Sequence, residues 1–312
     1  MRGKAGHFTQ DWPNSRQSCG KIPSSGRPQA TITRLPGANF LNDRKVTLGQ
    51  ETGYPDKYAP ELLYPISRTD SRNALGVAEA LPFSGMDIWN AWELTWLGEG
   101  DLPAVATAEI AVPADTPCIV ESKSLKLYLN SFSMSQFPSS LEVAATVASD
   151  LSACAGGRVR VKVRLVGDTE ARRVSRLAGS CLDSISVNCT DWEVDADLLQ
   201  ANSDELVDED LHTHLLRSLC PVTSQPDIGS LQVSYRGPKI DRGSLLRYIV
   251  SYRQHNDFHE ACVERMFVDL MSHCAPEKLS IHARYQRRGG IDINPYRSNS
   301  DERPVNLRLW RQ

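Results

Sequence analysis

The chain has no apolar run long enough to form a membrane helix, and its first residues lack the apolar core of a secretory signal. A soluble, cytoplasmic protein is expected. There is no excess of one charge: 35 Lys and Arg against 38 Asp and Glu leave a formal net charge of −3 in 312 residues. The basic stripe of a nucleic-acid-binding domain is missing, so no direct nucleic-acid contact is expected. None of the eight cysteines, at positions 19, 118, 154, 181, 189, 220, 262 and 274, forms a CxxC pair. A chain of this length needs no disulfide staples, and reduced thiols are the simpler reading. No GxGxxG follows a strand pattern, which argues against a Rossmann dinucleotide fold.

What is present divides into three stretches. Residues 1–45 are rich in Gly, Pro, Ser, Asn and Arg with little apolar periodicity, and an extended or disordered leader is expected. Residues 46–205 read as a first module. In its GRVRVKVRLV segment, Val159, Val161, Val163 and Leu165 alternate with Arg158, Arg160, Lys162 and Arg164, the period of a half-exposed antiparallel strand. AVATAEIAV reads as another strand. Between them, Ser139 and Glu142 make a capping box, and Leu141, Val147 and Leu151 continue at helical spacing to Gly156-Gly157. The acidic stretch EVDADLLQANSDELVDEDL reads as a solvated helix or linker face.

Residues 206–312 repeat the order. Leu231, Val233 and Tyr235 alternate; Leu245, Leu246, Ile249 and Val250 fit one helix, and Cys262, Val263, Met266, Phe267 and Leu270 another. After Pro276, Leu279, Ile281, Ala283 and Tyr285 resume period two. Strand pairs around helices, given twice, describe an α+β protein.

The residues that carry chemistry lie mainly in the second module. Pro221 has no amide hydrogen and fixes its own φ, so Cys220 is expected on a turn outside a regular ladder, where a nucleophile is presented. Asp227 follows beside Pro226 and Gly229, in turn chemistry that is expected to hold a carboxylate near the thiol as proton donor or acceptor. His259 and Glu260 open a predicted helix. The bland alternatives are a cysteine acting as a small apolar side chain, a turn-capping aspartate and a helix-end histidine.

LCPVTSQPDIGSLQVSYRG together with FHEACVERMFVDL resembles the QueF nitrile reductases of queuosine biosynthesis, and ESKSLKLYLNSF, Glu121 to Phe132, matches the nicotinamide-reductase motif of that family. The resemblance implies two tandem tunnelling folds (T-folds), antiparallel sheets with helices on one face, in a long two-module form that works as a homodimer. It implies NADPH-dependent reduction of 7-cyano-7-deazaguanine to 7-aminomethyl-7-deazaguanine, with two NADPH per product and no metal. Cys220 would form a covalent thioimide, with Asp227 and His259 moving protons. Val120, Glu121, Ser122, His259 and Glu260 would hold the substrate, and Ser122, Lys123, Arg288 and Gly289 the cofactor. Lys126 is left outside the site as a solvent-facing residue. Residues 1–45 depart from the family pattern. Two rival readings stand: a zinc-dependent, cyclohydrolase-like T-fold enzyme drawing on Cys220, His255 and His259, and a non-catalytic pterin or purine binder.

Overall fold

The computed structural model describes residues 53–167 and 173–312, all within one compact unit; the expected leader lies outside them. In chain order the elements are β1 (Pro65–Ser67), α1 (Thr69–Ala74), β2 (Ser84–Leu97), β3 (Pro103–Pro113), β4 (Cys118–Val120), α2 (Ser122–Asn130), α3 (Ser140–Ala155), β5 (Arg160–Leu165) and β6 (Ser180–Cys181). Then follow β7 (Ala201–Leu219), β8 (Pro226–Ile240), α4 (Arg242–Ser251), α5 (His259–Cys274), β9 (Lys278–Tyr285) and β10 (Ile291–Ser298).

The order β2–β3–α2–α3–β5 recurs as β7–β8–α4–α5–β9, with β10 added. Each half also has its own apolar core. One gathers β2, β3, α2 and α3 around Trp96, Ile110, Tyr128 and Val147; the other gathers β7 to β9, α4 and α5 around Leu231, Tyr248, Phe267 and Ile281. The α+β class with antiparallel sheet and two tandem modules therefore holds. The halves do not keep separate sheets. β10 pairs antiparallel with β2, giving one eight-stranded sheet in the order β5-β3-β2-β10-β9-β8-β7-β6, antiparallel except at β6 and β7.

Local chemistry accounts for the elements. β3 buries Ala106, Ala108, Ile110 and Val112 on one face, as period two requires. Ser139 Oγ accepts from Glu142 N at 3.2 Å to start α3, and Gly156 closes it at a φ of 75°, a conformation that glycine reaches without strain. The buried stripe of α3 is Val143, Val147 and Leu151. Leu141, expected on that stripe, is exposed, because two residues before Val143 lies on the opposite side of a helix.

The acidic stretch also turns out differently. From Ala201 onward it is strand β7, and the module boundary expected between 205 and 206 falls inside that strand. The carboxylates are solvated as expected, yet they serve pairing: Glu205 meets Lys239 of β8 at 2.8 Å, and Glu209 accepts from Tyr235 and Arg242 at 2.6 and 2.7 Å. Charge pattern reports exposure; the backbone ladder with β8 decides that it is a strand.

Beneath the seam lies a buried ion network. Arg68 and Arg297 hold Asp87 of β2 at 2.5 and 2.8 Å, while Arg72 and Arg297 hold Glu264 of α5 at 2.8 and 2.7 Å. Residues from both halves thus neutralise one another in the interior.

Candidate active site

The turn after β7 is fastened on both sides. Leu219 N donates to His255 O at 2.8 Å and Asp257 N to Leu219 O at 3.1 Å, which ties the end of β7 to the approach of α5. Cys220 N then donates to Gln225 O and Ser224 N to Cys220 O, both at 2.9 Å, closing a tight loop through Pro221. Cys220 is half-buried at its start, outside the ladder as the sequence suggested.

Asp227 is not in a turn. It is the second residue of β8, opposite Ser218; Pro226, with no N–H to place, occupies the strand's first position, which is why the segment resembles a turn in sequence. Its carboxylate lies 3.0 Å from an Arg288 guanidinium nitrogen and 3.2 Å from His259 Nε2, the latter a contact without hydrogen-bond alignment. Burial pushes the Asp227 pKa up, but His259, Arg288 and Lys126 together outweigh it and hold the group below its ordinary value. It is an ionised base at neutral pH.

His259 and Glu260 open α5, as expected. The His259 ring lies over Tyr285, with centroids 3.9 Å apart. Glu260 points a quarter-turn away, toward the Asp87 network. Burial, and then the negative charge of Asp87, push its pKa up to about 8, with Arg68 and Arg297 pulling the other way. At neutral pH it carries a proton.

The first half supplies the facing wall. Val120 ends β4, and Glu121 caps α2, its two oxygens accepting from Lys123 N at 2.8 Å and Ser124 N at 2.6 Å. Capping is thus one job of Glu121, and each oxygen keeps a second lone pair for a ligand. Val120, Glu121 and Ser122 line a cleft of about 380 Å³, counting space open to solvent, together with Cys220, Asp227, His259, Glu260 and Arg288. Lys123 and Gly289 are not among the lining residues. Gly289 stands at a φ of 61°, where an added Cβ would come within 3.0 Å of Lys126 Cδ.

Three participants escaped the sequence reading. Lys126, set aside as solvent-facing, is half-buried; burial and the neighbouring Arg288 lower its pKa, while Glu121, Asp227 and Cys220 act in the opposite sense. The i, i+4 relation to Ser122 on α2 was the signal that puts it on this face. Trp89 and Ile293, paired across the β2–β10 seam, also line the cleft, and Trp89 Nε1 is buried without a partner among the described residues. Arg287, next to Arg288 in the chain, lies over the Trp92 ring at 4.4 Å. Among the described residues, Cys220, His255 and His259 do not converge as metal donors.

Residues 54–163 match the family model for the N-terminal part of the nitrile reductase 7-cyano-7-deazaguanine reductase, and residues 226–304 match that for QueF-like proteins. A curated NADPH-dependent 7-cyano-7-deazaguanine reductase from Azoarcus sp. (strain BH72) is 54% identical over 258 residues, 82% of this chain and 92% of that protein. Among solved structures, the apo archaeosine synthase QueF-Like aligns over 31% of this chain and 96% of its own, at 18% identity and a TM-score of 0.27. Both halves are matched in order and a relative is shared along most of the chain, so the protein belongs to the QueF family of nitrile reductases.

Proposed function

We propose that this protein reduces the nitrile of 7-cyano-7-deazaguanine to the aminomethyl group with NADPH, as a step of queuosine biosynthesis, through a thioimide on Cys220. The observation that carries the reading is the convergence on one cleft of a turn-borne thiol, an ionised Asp227 backed by His259 and Arg288, and a buried, unpaired-by-salt-bridge Glu260.

Cys220 attacks the nitrile carbon, forming a C–S bond as the thiol proton leaves. Asp227 takes that proton and returns it to the nitrile nitrogen, so the first step gives a neutral thioimide with no net proton change. When bound, NADPH supplies the hydride, twice per product. After the first reduction the C–S bond breaks, Cys220 leaves as thiolate, and an imine remains. The second hydride goes to the imine carbon and the nitrogen takes a proton that His259 or Asp227 first recovers from solvent, while Trp89, Phe258 and Ile293 give the cleft apolar walls that shield the imine from hydrolysis. Glu260, on releasing its proton to solvent as the ligand binds, suits the ring N–H and exocyclic amine of the deazaguanine, which together donate two hydrogen bonds to one carboxylate.

The side chains present fit a phosphate-bearing dinucleotide. Lys126 and Arg288 are like charges close enough to act on one another, an arrangement that an anion between or beside them relieves. Ser122, Lys123 and Gly289 adjoin this cationic edge. The reaction as written needs no metal. A homodimer in the cytoplasm is part of the same reading; no helix of the described residues is long and apolar enough to cross a membrane.

The test is NADPH oxidation on addition of 7-cyano-7-deazaguanine with the amine product quantified. Two NADPH consumed per product, abolished in Cys220→Ala, is expected. A folded wild-type protein that consumes none overturns the reading.

A further inference from the structure

Away from the cleft, the two-residue strand β6 lies parallel to β7 with Cys181 directly beside His212. His214 follows two positions on and so shares the face of His212. One ligand atom from each of Cys181, His212 and His214 lies within 4.8 Å of the other two. We propose that these three side chains bind a zinc ion that clips β6 to β7, a site separate from the reaction.

The surroundings prepare both imidazoles. His212 Nδ1 lies 2.9 Å from the Ala178 carbonyl oxygen, which only accepts, so Nδ1 carries the hydrogen and Nε2 keeps its lone pair. His214 Nδ1 is held by Ser230 Oγ at 2.7 Å, and Arg311 in turn donates to that oxygen at 2.9 Å. Outer partners of this kind, a carbonyl and a hydroxyl on the far ring nitrogen, are how proteins orient histidines toward a metal. His212 is fixed along the backbone too, since Leu182 N donates to its carbonyl oxygen at 2.8 Å.

The donor set selects the ion. One thiolate and two imidazoles suit zinc, whose fourth tetrahedral position is left to water. Binding displaces the Cys181 thiol proton to solvent, with no change of oxidation state. Cys181 is exposed, so an ion has a path in. β6 has only two residues, so the ladder alone gives it few bonds; a metal link between Cys181 and β7 supplies what so short a strand lacks. His214 is six residues before Cys220, roughly 20 Å along an extended strand, which keeps the ion apart from the thiol that reacts.

Metal-free full-length protein titrated with Co²⁺ provides the test, because a cobalt–thiolate bond has a charge-transfer absorption. We expect saturation at one Co²⁺ per chain, displacement by Zn²⁺, loss of the band in Cys181→Ser and its retention in Cys220→Ala. His212→Asn, whose side-chain amide nitrogen takes the place of Nδ1 beside the Ala178 carbonyl while Nε2 is lost, should weaken Co²⁺ on the order of tenfold or more. Zn²⁺ should also raise the melting temperature of the wild type and leave Cys181→Ser unmoved. No saturable uptake, or a band that survives Cys181→Ser and disappears in Cys220→Ala, overturns the proposal.

Discussion

Glu260 is a carboxyl group whose environment opposes its own ionisation. Burial and the charge of Asp87 raise its pKa to about 8, so the folded protein holds a proton that the unfolded chain releases near the ordinary carboxylate value. Raising the pH between those values favours the unfolded state, and stability falls as the pH rises toward and through about 8. Denaturation midpoints at pH 6.5 and 8.5 should show the wild type weaker at the higher value, with the difference reduced in Glu260→Gln. The same variant should bind 7-cyano-7-deazaguanine poorly, because its amide cannot ionise to the two-oxygen acceptor that the ligand's donors require. Asp227 is the reverse case: its pKa is held down, so it is a base throughout the neutral range. Asp227→Asn keeps the shape and removes the base, and adduct formation on Cys220, followed by mass without NADPH, should slow by about 10²- to 10⁴-fold. Both residues were legible in the sequence as candidates. Their ionisation was not, because it depends on burial and on Asp87 for Glu260, and on His259, Arg288 and Lys126 for Asp227, groups brought together only by folding.

At the scale of elements, periodicity located most of what it described. Period two marked β3, β5, β8 and β9, and capping chemistry placed the ends of α3 within a residue. It failed where polar strands look like solvated helices, as in β7, and where a proline at a strand's first residue imitates a turn, as before Asp227. Helix α2 shows what an added step recovers: Glu121 caps it, Ser122 opens it, and Lys126 comes round on the same face. Lys126→Met should therefore raise the KM for NADPH by roughly ten- to a hundredfold, the worth of a hydrogen bond to a charged group. Cys220 adduct formation in the absence of NADPH should persist; losing both together would mean that α2 itself had shifted.

For the whole molecule, the network of Arg68, Arg72, Asp87, Glu264 and Arg297 draws on β2, α1 and its approach, α5 and β10. Arg297 is fully buried and touches both acids. Arg297→Met would leave Asp87 and Glu264 short of a partner, at a cost of about 3–5 kcal/mol in a denaturation experiment. The pKa values of both acids are lowered, so the stabilisation they bring is present above the ordinary carboxylate range and is lost as the pH falls through their folded values. Nothing in the sequence announces this network, because its members are spread from residue 68 to residue 297.

The β2–β10 seam carries a further consequence. Trp89 faces Ile293 across it, Asp87 and Arg297 meet beside it, and at Gly85 the backbones come so close that a Cβ would lie 2.0 Å from Tyr296 O. A slip of one residue would turn each of these side chains to the opposite side of the sheet, removing the cleft wall and the interior charge pairing at once. The alignment of the two halves behaves like a reading frame: a molecule in frame has a complete site, and one out of frame has none, with no graded series of partly competent enzymes between them.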